Sequence, residues 1–510
     1  MKNSERRSLS IFRRLLLILI SVILLLLQIA FTVAIIILSY GYASGLQLFY
    51  GLITIGGIIL SLSIIARNIN TNYKLTWCIL ILSLPIFFGT LYLSNLISRH
   101  ISKKKRMIIN NEFRLNIESK IDELKEKDNT LYNIASSANR VFYSPIVNNS
   151  LFIFFNDAKL KFDDMLNEIK NAKHSIFLEY FIISDGKLFD ELYQVLKIKG
   201  EEGIIIKVLY DSLGCRKSKK ILKKLSTIKN CEVKPYGTFG FKLNLLYNYR
   251  NHRKLCIIDY NIAYCGGDNL ADEYVHYIER FGYWRDNAGK YIGEAAVLFA
   301  LQFEKIWFSS TKEKINIDYN SFKIDYFNNN SYIMPFTDGP FYSGYLAYDL
   351  FCSLIINAKK SIYISTPYFI VDDAILNLIV LKCKEGIDVK ILMPNIPDKK
   401  TPFYMGREKY KQILLAGGKI YQYKDGFNHA KNIIIDDKYA YIGTVNMDYR
   451  SLYLHFECGA LVYSNMVHNM YIDFMNAINV SIEIEYEKWK KRPLYQKIIA
   501  FILNLFAPMF

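Results

Sequence analysis

The chain has little of what disulfide-stapled or metal-built proteins depend on. Its eight cysteines, Cys78, Cys215, Cys231, Cys256, Cys265, Cys352, Cys383 and Cys458, are scattered over 510 residues with no CxxC pair and no Cys/His group at zinc spacing. A disulfide framework and a structural zinc are therefore not expected. Cys256 lies in the apolar run from Leu255 to Ile258 and reads as a small core residue. Glycine and proline number only 26 and 11, and charged residues make up 22 % against 52 % hydrophobic, which excludes collagen-like repeats and disorder. No P-loop signature is present, and no acidic cluster offers a two-metal site. A packed or membrane-embedded chain remains, long enough for two domains or a duplicated one.

The first hundred residues lack charge over long stretches. Residues 15–38 carry no charged side chain and only Ser21, Gln28 and Thr32 as polar ones; at 1.5 Å per residue this run reaches roughly 36 Å, enough to cross a bilayer. Two further uncharged stretches, 46–66 and 75–97, follow, the last containing Pro85, and together they read as about three transmembrane segments in a membrane region of residues 1–106. A cleaved signal peptide fits poorly, since the apolar core is too long and more spans follow. Basic residues flank both ends: Lys2, Arg6, Arg7, Arg13 and Arg14 before, and Arg99, Lys103, Lys104, Lys105 and Arg106 after. Three spans would put these ends on opposite faces, against the positive-inside rule unless one stretch is re-entrant. Two or three true spans, and either orientation, stay open.

Beyond Ile108 short apolar runs alternate with amphipathic ones, an α/β pattern, and this part is written twice. Asn171-Ala172-Lys173-His174-Ser175-Ile176 returns as Asn357-Ala358-Lys359-Lys360-Ser361-Ile362, and Glu202-Gly203-Ile204 with Lys207-Val208-Leu209 returns as Glu385-Gly386-Ile387 with Lys390-Ile391-Leu392. A period of this length means a duplicated domain, not a solenoid. The halves are expected at 111–320 and 321–487, with the boundary near Asn316 to Asn330. A pseudo-twofold axis between them would place equivalent residues face to face and give the site each functional residue twice.

Of seven histidines, two share a context. His252-Arg253-Lys254 is followed by Asp259 and then Gly266-Gly267-Asp268-Asn269; His429-Ala430-Lys431 is followed, at the same spacings, by Asp436 and then Gly443-Thr444-Val445-Asn446. On a strand, residues two apart face the same side, so each His points with its Lys. Two lysines and two asparagines can hold the non-bridging oxygens of a phosphodiester and stabilise its trigonal-bipyramidal state. Two histidines divide the remaining work, one attacking phosphorus, the other protonating the departing alcohol and deprotonating the incoming one. This arrangement requires no metal and no cofactor.

This HxKx4D pair resembles the phospholipase D superfamily, and the segments Asn248 to Lys254, Tyr283-Trp284-Arg285-Asp286 and Asn446 to Ser451, with the N-terminal stretch Tyr73 to Trp77, resemble the bacterial cardiolipin synthases. The resemblance covers nearly the whole chain. It implies transmembrane helices followed by two tandem phospholipase D-like α/β domains with the active site at their junction. It further implies His252 as nucleophile and His429 as general acid and base, with Lys254, Lys431, Asn269 and Asn446 on phosphate. Asp259 and Asp436 complete the motifs and hold the architecture. An acidic residue orients each histidine: Glu457 is expected behind His429 and Asp286 behind His252. The chain departs from the family pattern at Asn287-Ala288 and at His455, where a Thr-His pair and an asparagine are common.

The implied reaction transfers a phosphatidyl group from one phosphatidylglycerol to another, at a cell membrane that the chain crosses several times. The motifs alone also allow a hydrolytic phospholipase D or a phosphatidyltransferase with another acceptor. A nuclease is disfavoured by the apolar segments, and an idle scaffold by two complete motifs. His100, His174, His276 and His468 lack counterparts and read as structural or exposed. Glu179 and Asp211, at apparent strand ends, either line the cleft or make ordinary ion pairs.

The net charge of +17 is unevenly spread. Residues 1–110 hold 12 basic and 1 acidic residue and residues 488–510 hold 5 basic and none acidic, leaving 47 against 46 between them. The middle of the chain is thus nearly neutral. The basic residues Lys488, Lys490, Lys491, Arg492 and Lys497 lead into an apolar tail ending at Phe510, a pattern that fits an interfacial helix over 488–510. The expected anionic partner is accordingly a phospholipid bilayer, not nucleic acid. Self-association is not readable.

Overall fold

In the computed structural model the described residues are 44–94, 117–142, 144–237, 249–315 and 330–509, except 341 and 343, with a few isolated positions besides. The chain divides into two units. Of the described residues, those up to 96 with 505–509 form one, and those at 117–237 and 249–504 the other.

In the first unit, helix Ser44–Ile65 covers nearly all of the expected segment 46–66. The expected segment 75–97 is not one helix. Helix Thr71–Ser83 stops at Leu84, whose φ of −141° and ψ of 78° are not helical, because a residue before proline is pushed out of the α region by the ring of Pro85. Helix resumes over residues 85–94. Segment 15–38 and the basic residues 99–106 lie outside the described residues. Among the described residues no helix is long and apolar enough to cross a membrane, so the structure does not carry the expectation of three spans. Ile64, Trp77, Cys78, Ile81 and Tyr92 are packed together, while Phe49, Leu52, Ile55, Ile59 and Leu62 of the long helix are each at least half exposed.

The second unit holds both copies of the repeat. Its first sheet is built from β1 (Ser150–Phe155), β2 (Ser175–Tyr180), β3 (Ile205–Asp211), β4 (Cys231–Tyr236), β5 (Lys254–Ile258), β6 (Ile262–Gly266) and β8 (Ala288–Gly293), in the order β1-β8-β6-β5-β2-β3-β4. Its second contains β9 (Tyr332–Asp338), β10 (Ser361–Ser365), β12 (Asp388–Pro394), β13 (Lys419–Tyr423), β15 (Asn432–Ile435), β16 (Tyr439–Gly443), β18 (Glu457–Tyr463) and the edge strand β19 (Ser481–Glu483). The order is β9-β18-β16-β15-β10-β12-β13-β19. Strand for strand the second sheet repeats the first, with β19 added. In each, the parallel strands β2-β3-β4 and β10-β12-β13 are joined by crossover helices, as parallel neighbours require.

The helix between β1 and β2 shows how such helices follow from their sequences. Helix Ala158–Asn171 starts at Asp157, whose carboxylate accepts from the N–H groups of Lys159 and Leu160, a standard helix start. Its buried residues Phe162, Met165, Leu166 and Ile169 recur at helical spacing on one face. β5 and β15, buried at every position, are continuous apolar runs apart from their polar first residues, as central strands covered on both faces must be. Cys256 is fully buried in β5, and burial pushes its thiol up to about 12. The cysteines are all free.

Part of the expected first half packs against the second. The buried residues Ile121, Leu124, Leu131, Ile134, Ala135 and Ala138, within the expected first half, pack in one core with β9, β10 and helix Leu346–Asn357 of the second. The expected boundary near 316–330 lies almost entirely outside the described residues.

Candidate active site

The aspartates of the two motifs explain the repeated Asn-Ala-Lys segments. Asp259 accepts from the backbone N–H groups of Lys173 (2.7 Å), His174 (2.8 Å) and Ser175 (2.8 Å). Asp436 does the same for Lys359 (3.0 Å), Lys360 (2.7 Å) and Ser361 (3.0 Å). Each anchors the entry of β2 or β10 at the end of β5 or β15 remote from the histidine. Bonds of this charge-assisted kind are worth roughly 1.5–3 kcal/mol each. These aspartates are architectural and do not join the histidines.

Two short parallel ladders between the halves build the site. β7 (Tyr283–Arg285) pairs with β14 (Gly426–Asn428) in the register Tyr283–Gly426, Trp284–Phe427, Arg285–Asn428. The next step along both chains sets Asp286 beside His429. The His429 N–H donates to Arg285 O at 2.7 Å, and His429 Nδ1 lies 2.6 Å from Asp286 Oδ2. Across the pseudo-twofold, Asn251 pairs in parallel with Phe456, and the next step sets His252 beside Glu457. The His252 N–H donates to Phe456 O at 2.9 Å, and its Nδ1 lies 3.0 Å from both Glu457 oxygens.

The two carboxylates lie against the histidines in pairings exchanged from those expected: Glu457 against His252 and Asp286 against His429. Each histidine is held by a carboxylate from the opposite half, because the ladders that fix the register run between halves. With Nδ1 engaged, Nε2 is the nitrogen left for chemistry in both rings.

The rings are also walled by aromatic residues. Phe181 lies edge-on to His252 at 5.1 Å, the His455 ring lies 5.5 Å from His252, and Trp284 and Tyr274 each lie 5.4 Å from His429. Trp284 and His455 occupy equivalent places, two residues before each carboxylate. That repeated spacing is a sequence signal by which they are recognisable.

Burial sets the electrostatics. It is the largest influence lowering His252, to about 3, with Lys254 and His455 adding to it against the pull of Glu457. It likewise lowers His429 well below its ordinary value, helped by Lys431 and Lys254. Lys254 is lowered by burial to about 7, with Lys431 contributing, and Lys431 is lowered by burial to about 8. These mutual effects arise because the topology gathers two His-Lys pairs into one place. The ammonium of Lys254 donates to the carbonyl of His252 at 2.6 Å, and that of Lys431 to the carbonyl of His429, which leaves donors on both for an anion. Burial raises Glu457, but the charge and hydrogen bond of His252 outweigh it and hold the carboxylate below its usual range. Asp286 is raised by burial to about 6.

Asn269 is occupied by structure: its Oδ1 accepts from the N–H of Ile182 at 3.0 Å and its Nδ2 donates to the Tyr274 hydroxyl at 2.7 Å. Asn446 is buried and its Oδ1 has no hydrogen bond. Thr444, not singled out by the sequence, donates its hydroxyl to Glu457 Oε2. Its counterpart Gly267 stands so near Asp286 that a Cβ there would lie 2.2 Å from Oδ1.

Glu179 and Asp211 are ion-pair partners. Glu179 accepts from Asn251 Nδ2 at 2.6 Å and faces Arg253 at 3.6 Å. Asp211 accepts from the N–H of Asn251 at 3.0 Å and pairs with Arg250 at 3.4 Å. Both fix the strand that carries His252. His276 pairs with Asp157 at 2.8 Å and stacks on Tyr283 at 4.3 Å, His468 pairs with Asp437 at 2.7 Å, and His100 lies outside the described residues.

A family model described as "Cardiolipin synthase, PLD-like domain" matches residues 165–307 and 351–478, which takes in both ladders and both His-Lys pairs. The chain belongs to this family. It is 38 % identical over 352 residues to a Bacillus anthracis protein named cardiolipin synthase 2, covering 68 % of each chain. It is 33 % identical over 486 residues to a Staphylococcus aureus cardiolipin synthase, covering 90 % of this chain and 96 % of that one. A crystal structure of a phosphatidylserine synthase from Haemophilus influenzae superposes with a TM-score of 0.57 at 16 % identity, over 74 % of this chain and 97 % of that one. It shares the duplicated fold.

Proposed function

We propose that the chain is a phosphatidyltransferase that makes cardiolipin and glycerol from two molecules of phosphatidylglycerol. Family membership supports the reaction class. The observation that carries the mechanism is the crossed pair of histidine–carboxylate contacts, which leaves one Nε2 on each half beside two lysines.

In the first step Nε2 of His252 attacks the phosphorus of one phosphatidylglycerol. A P–N bond forms, the P–O bond to glycerol breaks, and His429, neutral in the free site and protonated once the anionic phosphate is bound beside it, gives its proton to the departing oxygen. In the second, neutral His429 takes the proton from the terminal hydroxyl of another phosphatidylglycerol, whose oxygen attacks phosphorus as the P–N bond breaks. One phosphodiester replaces another, so no nucleotide is consumed. Lys254 and Lys431 neutralise the non-bridging oxygens in both steps, with Asn446 completing the phosphate site and Asn269 bracing its edge.

Glu457 suits the nucleophile's side. His252 becomes cationic when Nε2 binds phosphorus while Nδ1 keeps its proton, and an ionised carboxylate at Nδ1 stabilises that charge. The chain works at a membrane, reached through the apolar segment 15–38 and through apolar faces left exposed. These include Leu494, Ile498 and Phe501 on helix Leu494–Asn504, beside Lys488, Lys490 and Lys491.

Purified protein in detergent with phosphatidylglycerol as its only lipid is the test. The expected products are cardiolipin and free glycerol by mass spectrometry; phosphatidic acid as the dominant product would make the chain a hydrolase and sink the transferase reading.

A further inference from the structure

His455 has no part in the reaction just described, yet it belongs to the same cluster as the nucleophile. Its Nδ1 is closed off from solvent and makes no hydrogen bond, and it lies 3.5 Å from Glu457 Oε1. The same oxygen is 3.0 Å from His252 Nδ1. One ligand atom from each of His252, His455 and Glu457 lies within 4.8 Å of the other two. Zinc bound at roughly 2.0–2.1 Å to nitrogen and oxygen sets its tetrahedral ligands about 3.3 Å apart. The two distances from Glu457 bracket that value. Thr444 holds the second carboxylate oxygen, the kind of outer support that metal-ligating carboxylates have. The other half lacks such a set, because Trp284 stands where His455 does.

We propose that His252, His455 and Glu457 form a site for a borderline divalent transition ion such as Zn2+, and that its binding switches the catalytic centre off. Two imidazoles and one carboxylate favour Zn2+ over Mg2+ or Ca2+, which prefer all-oxygen sets. The fourth position is left for water or a lipid phosphate oxygen.

Arrest follows from proton placement. A neutral imidazole carries one proton; with the metal on Nδ1 of His252 that proton sits on Nε2, which then has no lone pair for phosphorus. The metal also takes the Glu457 oxygen that would stabilise the cationic ring. This consequence rests on His252 being the nucleophile, whereas binding itself does not.

Cobalt(II) titrated into the full-length protein in detergent tests the site without turnover. One Co2+ per chain with the visible absorption of a tetrahedral ion is expected, displaced by Zn2+ and unaffected by excess Mg2+. His455→Asn and His455→Gln should each weaken binding about tenfold or more while the thermal unfolding midpoint stays near that of the parent. An unchanged cobalt spectrum in both variants, or no stoichiometric uptake, would overturn the proposal. Product assays separate the two readings. Turnover in chelator reports on the transferase reading alone. Inhibition by micromolar Zn2+ that chelator reverses, and that both His455 variants blunt, supports the switch. Saturated binding with undiminished turnover would refute the switch.

Discussion

The two halves present the same histidine, lysine and backbone ladder, and differ in what stands behind the carboxylate. Glu457 is one methylene longer than Asp286, receives the Thr444 hydroxyl and is held ionised. Asp286 meets bare Gly267, accepts from the N–H of Asn287 at 2.9 Å, and is pushed up to about 6 by burial. Nearby, Asp268 is buried against Lys161 at 2.7 Å, a pair with no counterpart around Glu457 because Val445 stands in place of Asp268. A duplicated fold thus gives two copies of one imidazole, and these side-chain differences, with His455 standing where Trp284 does, make the copies electrostatically unlike. That is what a two-step displacement needs, since one histidine must carry phosphorus and the other only a proton.

The largest effect that would break this comparison is on the histidines themselves. His252→Asn and His429→Asn are each expected to lower cardiolipin formation at least about 10³-fold. An activated donor, the p-nitrophenyl ester of phosphatidic acid, separates them, because its leaving group needs no proton. His429→Asn should keep a burst of p-nitrophenol of about one per chain, and His252→Asn should show none. The reverse pattern would exchange the two roles.

A smaller effect is expected behind the carboxylates. Gly267→Ala forces Asp286 to move, and we expect turnover to fall about 10²-fold. Thr444→Val removes one hydrogen bond to a buried charge, worth roughly 1–3 kcal/mol, or about 5- to 150-fold in rate. Equal and negligible losses in both would mean that the carboxylates do not act through their supports.

The smallest effect lies in the pH dependence. A lysine with a lowered pKa keeps its charge only below that value, so the free site loses positive charge as pH rises through about 7 at Lys254 and about 8 at Lys431. Accordingly kcat/KM for the anionic lipid should fall with rising pH over that window. Lys431→Arg, which stays charged, should flatten the upper part of the fall in whatever activity it retains. A kcat/KM that rises across the window would contradict the role given to the lysines.

Much of the site was legible because its chemistry is local. His252 and Lys254, or His429 and Lys431, are two residues apart on a strand, so their shared face needs no tertiary knowledge. The repeat and the α/β alternation are similarly written in short segments, while Asp286 and Glu457 were named only through the resemblance to the family. Less legible were contacts made by pairing. The link between Asp259 and the repeated Asn-Ala-Lys segment spans some 85 residues, though two repeats at matched spacing hint at it. Helix packing was not legible either, since an amphipathic stretch such as residues 129–142 declares that it has a buried face but not against which core.

By itself, then, the sequence determined the two histidine–lysine motifs, their duplication and the family to which the chain belongs. These depend on side-chain type and on spacing along strands. Only the tertiary structure decided which carboxylate serves which histidine, that Asn269 is tied to Ile182 and Tyr274, and that the run at 75–97 is divided before Pro85. The first is a matter of register between strands far apart in the chain, which neither half specifies alone, and the second joins Asn269 to a residue 87 positions before it as well as to Tyr274 five positions on. The third turns on a single backbone conformation that the apolar character of the segment conceals.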